Sequence, residues 1–144
     1  CYHMYHDMAT GIAPEYVKFQ HGDMFAGAKY NIQRPEAIEA IFYMYRKTGD
    51  ATYREWAWEM FQSMVKHYKT PNGWVGLKDV RMNPPIKDNT MQSFFLAETL
   101  KYFYLIFCDS DVINLDEWVF NTEAHPMKVM RRDSTMVKSR QRVL

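Results

Sequence analysis

Glu36 and Glu39 stand three residues apart in what reads as the first turn of a helix, so both carboxylates project from one helix end toward the same space. Arg34 lies just before them. Carboxylates at a helix start commonly do no more than complement its dipole; with an Arg beside them, the same residues suit a general base held in place. Glu98 is less ordinary, because it falls mid-helix among Phe94, Phe95, Leu96 and Leu100, where a carboxylate must be paired or perturbed. Lys101, at i+3, offers an ion-pair partner, and a site role is the alternative. Glu15, after Pro14, is a further acid at a loop start, where a lone carboxylate is most often a surface residue. Thr122-Glu123 supplies a hydroxyl, a carbonyl and a carboxylate, hard oxygens of the kind Ca²⁺ takes, although two residues make only part of a shell and no EF-hand spacing is present. His3 and His6 can share a helix face, but no third zinc ligand accompanies them. No Ser or Cys sits in a nucleophile motif and no Gly-rich phosphate loop occurs.

These residues need helices to hold them. Pro35 suits a first helical position, where its missing N–H costs nothing, and Ile38, Ile41, Phe42 and Tyr45 then recur with helical spacing up to Thr48-Gly49. Asp50 can cap a second helix whose apolar face is Tyr53, Trp56, Met60, Met64 and Tyr68, which makes Gly49-Asp50 the turn of a helical hairpin. A third helix, capped by Asn89 or Thr90, is predicted over Met91–Cys108, apolar almost all round and so expected at the centre of a larger core. Cys1–Met8 reads as the tail of a helix closed near Thr10-Gly11. Pro71, Gly73, Gly76, Pro84 and Pro85 make 70–89 a long loop with a short strand at Trp74-Val75. Tyr16–Phe19 and Trp118–Phe120 alternate or cluster like further short strands.

At 144 residues the chain is sized for one domain or a piece of a larger one. Lys and Arg number 18 against 17 Asp and Glu, a net charge of +1 that gives no field for capturing nucleic acid. The apolar share of 47% excludes wholesale disorder. No uncharged run approaches the roughly 20 residues of a membrane span. Few Gly and Pro, with many aromatics and Met, favour a mainly α fold. After Pro126 the residues Lys128, Arg131, Arg132, Lys138, Arg140 and Arg142 face a single acid, Asp133, and 127–144 is expected to be a basic, solvated tail.

Longer motifs carry a resemblance. Tyr30-Asn31-Ile32-Gln33-Arg34-Pro35-Glu36 with Glu39, Trp56-x-Trp58-Glu59, Gln92 through Tyr102, and Val119-Phe120-Asn121-Thr122-Glu123-Ala124-His125-Pro126 together resemble the C-terminal portion of the class I α-1,2-mannosidases, glycoside hydrolase family 47. Cys1-Tyr2 and Gly11–Glu15 are similar as well, so the likeness covers residues 1–126 and fades in the tail. It implies the last hairpins of an (α/α) barrel of seven helical hairpins, with short β-strands in its loops. It further implies an inverting, Ca²⁺-dependent hydrolase that trims terminal α-1,2-linked mannose from the high-mannose N-glycans of glycoproteins in the secretory-pathway lumen.

By the same resemblance Glu36 is the general base. Arg34 and Glu39 shape its pocket, Phe94 stacks on the sugar, and Thr122 binds Ca²⁺ through hydroxyl and carbonyl. Glu15, Glu39, Glu98 and Glu123 hold metal-bound waters or sugar hydroxyls. The family's general acid, a cysteine partner for Cys1 and any membrane anchor are implied to lie ahead of Cys1, so the segment alone is expected to be inactive. Cys108 is expected to be a free buried thiol. Gln92 before Ser93-Phe94-Phe95 resembles the Golgi branch, where the endoplasmic reticulum branch tends to carry Glu. A mannose-binding, degradation-targeting protein of the same family is the alternative.

Overall fold

The computed structural model describes residues 1–130. In chain order it places α1 (Tyr2–His6), a hairpin of β1 (Val17–Gln20) and β2 (Asp23–Ala26), α2 (Glu36–Thr48), and α3 (Thr52–Tyr68). A short hairpin of β3 (Lys69–Thr70) and β4 (Gly73–Trp74) follows, then α4 (Leu100–Phe107) and a hairpin of β5 (Trp118–Phe120) and β6 (Pro126–Lys128). A π-helical turn, Phe95–Thr99, runs directly into α4. Each sheet is a two-stranded antiparallel hairpin, so helices build the core and strands serve the loops.

The helical hairpin forms for the reasons its sequence gives. Pro35 precedes α2 and its carbonyl accepts the Glu39 N–H at 2.9 Å, closing the first turn. At the other end Gly49 takes φ +70°, a left-handed cap that a side chain would strain, and donates to the Tyr45 carbonyl at 2.8 Å. The Asp50 carboxylate then accepts the Thr52 N–H at 2.9 Å and starts α3. Ile38, Ile41 and Phe42 of α2 pack with Met60, Met64 and Tyr68 of α3 and with Tyr102, Phe103 and Ile106 of α4 in one core. Burying each such side chain is worth about 1.5–3 kcal/mol. Arg46 ties the far end together, donating to the carbonyls of Leu105 at 2.9 Å and Ser110 at 2.6 Å, where the C-terminal end of α4 favours a cation.

Three expectations are corrected. The third helix begins at Ser93 rather than Met91, and its second turn is a π turn, with Leu100 N–H bonded to the Phe95 carbonyl. Lys101 does not pair with Glu98. A π turn widens the helix, so residues three apart no longer stack along one face, and the Lys101 Nζ reaches the Ala124 carbonyl instead, at 2.8 Å. The strand predicted at Trp74-Val75 is Gly73–Trp74, paired with Lys69–Thr70. The β1–β2 hairpin occurs where alternation placed a strand, yet Phe19 is 73% exposed, because the hairpin packs on no further layer among the described residues. β6 carries the chain through Lys128; Arg131, Arg132, Lys138, Arg140 and Arg142 of the expected tail lie outside the described residues.

Candidate active site

An elbow ahead of α2 aims the first candidate residues. Asn31 is buried and bonded on every side: its amide donates to the Ala13 carbonyl at 2.9 Å, and its Oδ1 accepts the Gln33 N–H at 2.8 Å and the Tyr68 hydroxyl. Its backbone pairs with Leu77 in both directions at 2.9 Å. Gln33 follows at φ +70°, and this turn throws Arg34 and Glu36 outward while Pro35 stays buried. Sequence reasoning saw the motif but not that Asn31 is its keystone. A short polar residue between two large apolar ones, Tyr30 and Ile32, was the available signal.

Arg34 is a hub at the mouth of that elbow. Its guanidinium forms an ion pair with Glu15 and lies 5.9 Å from the centre of the Phe94 ring, within cation–π range. The hydrogen bond and charge of Glu15 raise the Arg34 pKa against some desolvation, and the Glu36 carboxylate adds to the rise. Glu15 and Arg34 line a cavity of about 170 Å³ together with Glu36, Tyr5 and Met4. Cys1 also lines it, and the Cys1 and Cys108 thiols are both free; Cys108, expected to be buried, is only half-buried because it lies just past the end of α4.

The remaining acids gather behind. Glu98 is only 7% exposed, and burial raises its pKa, with Glu123, Glu36 and Glu39 pushing in the same direction and Lys101 opposing them. A carboxyl desolvated among three other carboxylates is held nearer to its neutral form. Burial, together with the charge of Glu39, likewise pushes the Tyr102 phenol upward. Glu123 and Thr122 are exposed in the tight turn between β5 and β6. Asn121 builds that turn: its Oδ1 accepts the N–H groups of Glu123 at 3.0 Å and His125 at 2.9 Å.

The structure thus brings Glu15, Arg34 and Phe94 together at one rim, and Glu36, Glu39, Glu98 and Glu123 into one negative field, with Thr122 next to Glu123 in the turn. Among the described residues no group of three or more His, Cys, Asp or Glu is arranged to hold a metal directly. His6 and Tyr2 instead bond Glu59, at 2.7 and 2.6 Å, fastening α1 to α3. Such an arrangement can accept a proton from water, hydrogen-bond a polyhydroxylated ligand, and offer an aromatic face to its apolar side.

Comparison with known proteins identifies a family. Residues 1–129 match glycosyl hydrolase family 47. The chain is 54% identical over 134 residues to a mannosyl-oligosaccharide 1,2-alpha-mannosidase of Arabidopsis thaliana, covering 92% of this chain and 24% of that protein. It is 45% identical over 140 residues to the human mannosyl-oligosaccharide 1,2-alpha-mannosidase IB, covering 94% of this chain and 22% of that protein. The chain therefore spans about a quarter of the length of these curated relatives. The solved alpha-1,2-mannosidase from Trichoderma reesei superposes with a TM-score of 0.81 at 30% identity, over 90% of this chain and 32% of that structure. A family match over nearly the whole chain, with homologous enzymes in plant, animal and fungus, shows that the chain belongs to glycosyl hydrolase family 47.

Proposed function

We propose that this chain is the C-terminal part of an α-1,2-mannosidase that removes terminal mannose from high-mannose N-glycans, and that its helices are the last hairpins of an (α/α) barrel. The observation that carries the reading is buried Glu98, 7% exposed, with the three carboxylates of Glu36, Glu39 and Glu123 adding negative charge around it, bordered by the Glu15–Arg34–Phe94 rim. Sugar recognition needs just these partners: carboxylates and an Arg for vicinal hydroxyls, and an aromatic ring for the apolar face.

In this proposal Glu36 accepts the proton of a water as that water attacks the anomeric carbon. A separate carboxylic acid protonates the departing oxygen, and inversion requires the two about 6.5–9.5 Å apart, leaving room for the water. Arg34, held by Glu15, orients Glu36 and the sugar. Phe94 stacks on the ring, and Glu39, Glu98 and Glu123 take hydroxyls or ordered waters.

The residues also suit Ca²⁺. Thr122 offers a hydroxyl and a carbonyl at an exposed turn, the carboxylates behind it leave a surplus of negative charge, and a shell completed largely by water is within the ion's habit. When bound, Ca²⁺ would supply Lewis-acid orientation of sugar hydroxyls.

The test is hydrolysis of an α-1,2-linked mannobiose by the full-length protein, followed by NMR of the first anomer released. Release of mannose in the β form supports the proposal. Retention of the α form would refute inversion, and binding without release would favour the mannose-binding alternative.

A further inference from the structure

Gln33 and Thr99 lie far apart in the chain and are both buried, at 1% and 2% exposure, yet the Thr99 hydroxyl donates to the Gln33 carbonyl at 2.7 Å. Each residue occupies a special backbone position. Gln33 sits at φ +70°, a region that costs a side-chain-bearing residue of order 1 kcal/mol or more and persists only when its surroundings enforce it. Thr99 closes the π turn Phe95–Thr99, a geometry that is rare and concentrates at functional sites.

The residues flanking this bond are those of the candidate site. Gln33 leads into Arg34 and Glu36, whereas Thr99 follows Glu98 in a turn entered through Phe94. A helical Thr ordinarily returns its hydroxyl to a carbonyl of its own preceding turn, and Thr99 reaches across to another element instead. The Gln33 side chain adds a second, longer tie, its Oε1 accepting the Gln92 N–H at 3.4 Å where the π turn is approached.

We propose that Thr99 is a positioning residue: through the Gln33 carbonyl it fixes the spacing between the elbow that carries Arg34 and Glu36 and the π turn that carries Phe94 and Glu98. Glu36 supplies the base from one element while Phe94 and Glu98 hold the sugar from the other, so the clasp sets where the attacked carbon lies relative to the water. This inference rests on the mannosidase reading above.

The experiment compares Thr99→Val, Thr99→Cys and Thr99→Ser in the full-length protein, with kcat normalised to the folded fraction and KM measured separately. Val removes the donor at constant volume and Cys leaves only a weak S–H donor; each is expected to lower kcat by about 10- to 100-fold, the scale of an ångström-sized misplacement, with a smaller change in KM. Ser keeps the hydroxyl and is expected to restore most of the turnover. Should Val fail to fold, Cys carries the test. Wild-type kcat per folded molecule in Val or Cys would overturn the inference, as would a Ser variant as slow as Cys. A wild-type protein that releases no mannose would refute the mannosidase reading, a separate failure.

Discussion

Lys101 donates from its Nζ to the Ala124 carbonyl at 2.8 Å, so a single side chain of α4 holds the turn that presents Thr122 and Glu123. The bond spans two elements that share no sheet or helix, and it places a cation at the edge of the carboxylate field.

Lys101→Met keeps the aliphatic stem and removes the donor. It is expected to cost about 1 kcal/mol in stability, the ordinary net worth of such a bond, and to loosen the Thr122 turn so that Ca²⁺ and sugar bind more weakly. Lys101→Arg, which keeps a cationic donor, should lose less. Thermal melting and a calcium titration on both variants check this ordering.

Glu98 makes an opposite prediction for stability. Its pKa is raised in the folded state by burial and by Glu123, Glu36 and Glu39. Folding is therefore favoured most when the group is protonated, at pH below its unfolded value near 4.5, and stability falls as pH rises through the higher folded value. Glu98→Gln removes that loss. In metal-free protein it should raise the melting temperature at pH 7 by roughly 1–3 °C and change it little near pH 4, while weakening sugar binding. A lower melting temperature at pH 7 would contradict the assignment.

Thr122→Val deletes the hydroxyl at similar volume in an exposed turn. The fold should be unaffected and the affinity for Ca²⁺ reduced, because the proposed site has few protein ligands and would lose one of its hard oxygens. A calcium titration identical to wild type would remove Thr122 from that role.

Much of this was legible in the residues. The stripe of Ile38, Ile41 and Phe42 and the Gly49-Asp50 turn marked the helical hairpin, because helical period and cap chemistry are local properties. The Tyr30–Glu36 and Asn121–Pro126 motifs marked the elbow ahead of α2 and the turn between β5 and β6, the two segments from which the candidate site is built. The π turn was not legible. Periodicity assumes 3.6 residues per turn, and the tertiary bonds that stabilise the wider turn, among them Thr99 to Gln33, come from a distant part of the chain. The same widening redirected Lys101 from Glu98 to Ala124. Nor could alternation in β1 reveal that Phe19 would stay exposed, since burial depends on what packs above a strand and not on the strand alone.

The central claim is that Glu36 activates the water that cleaves α-1,2-linked mannose. Its most direct test is kcat for mannobiose hydrolysis by the full-length protein carrying Glu36→Gln, with sugar binding measured in parallel. The account predicts retained binding and a fall in kcat of about 10²–10⁴-fold, the typical contribution of a positioned acid or base. An unchanged kcat would contradict it.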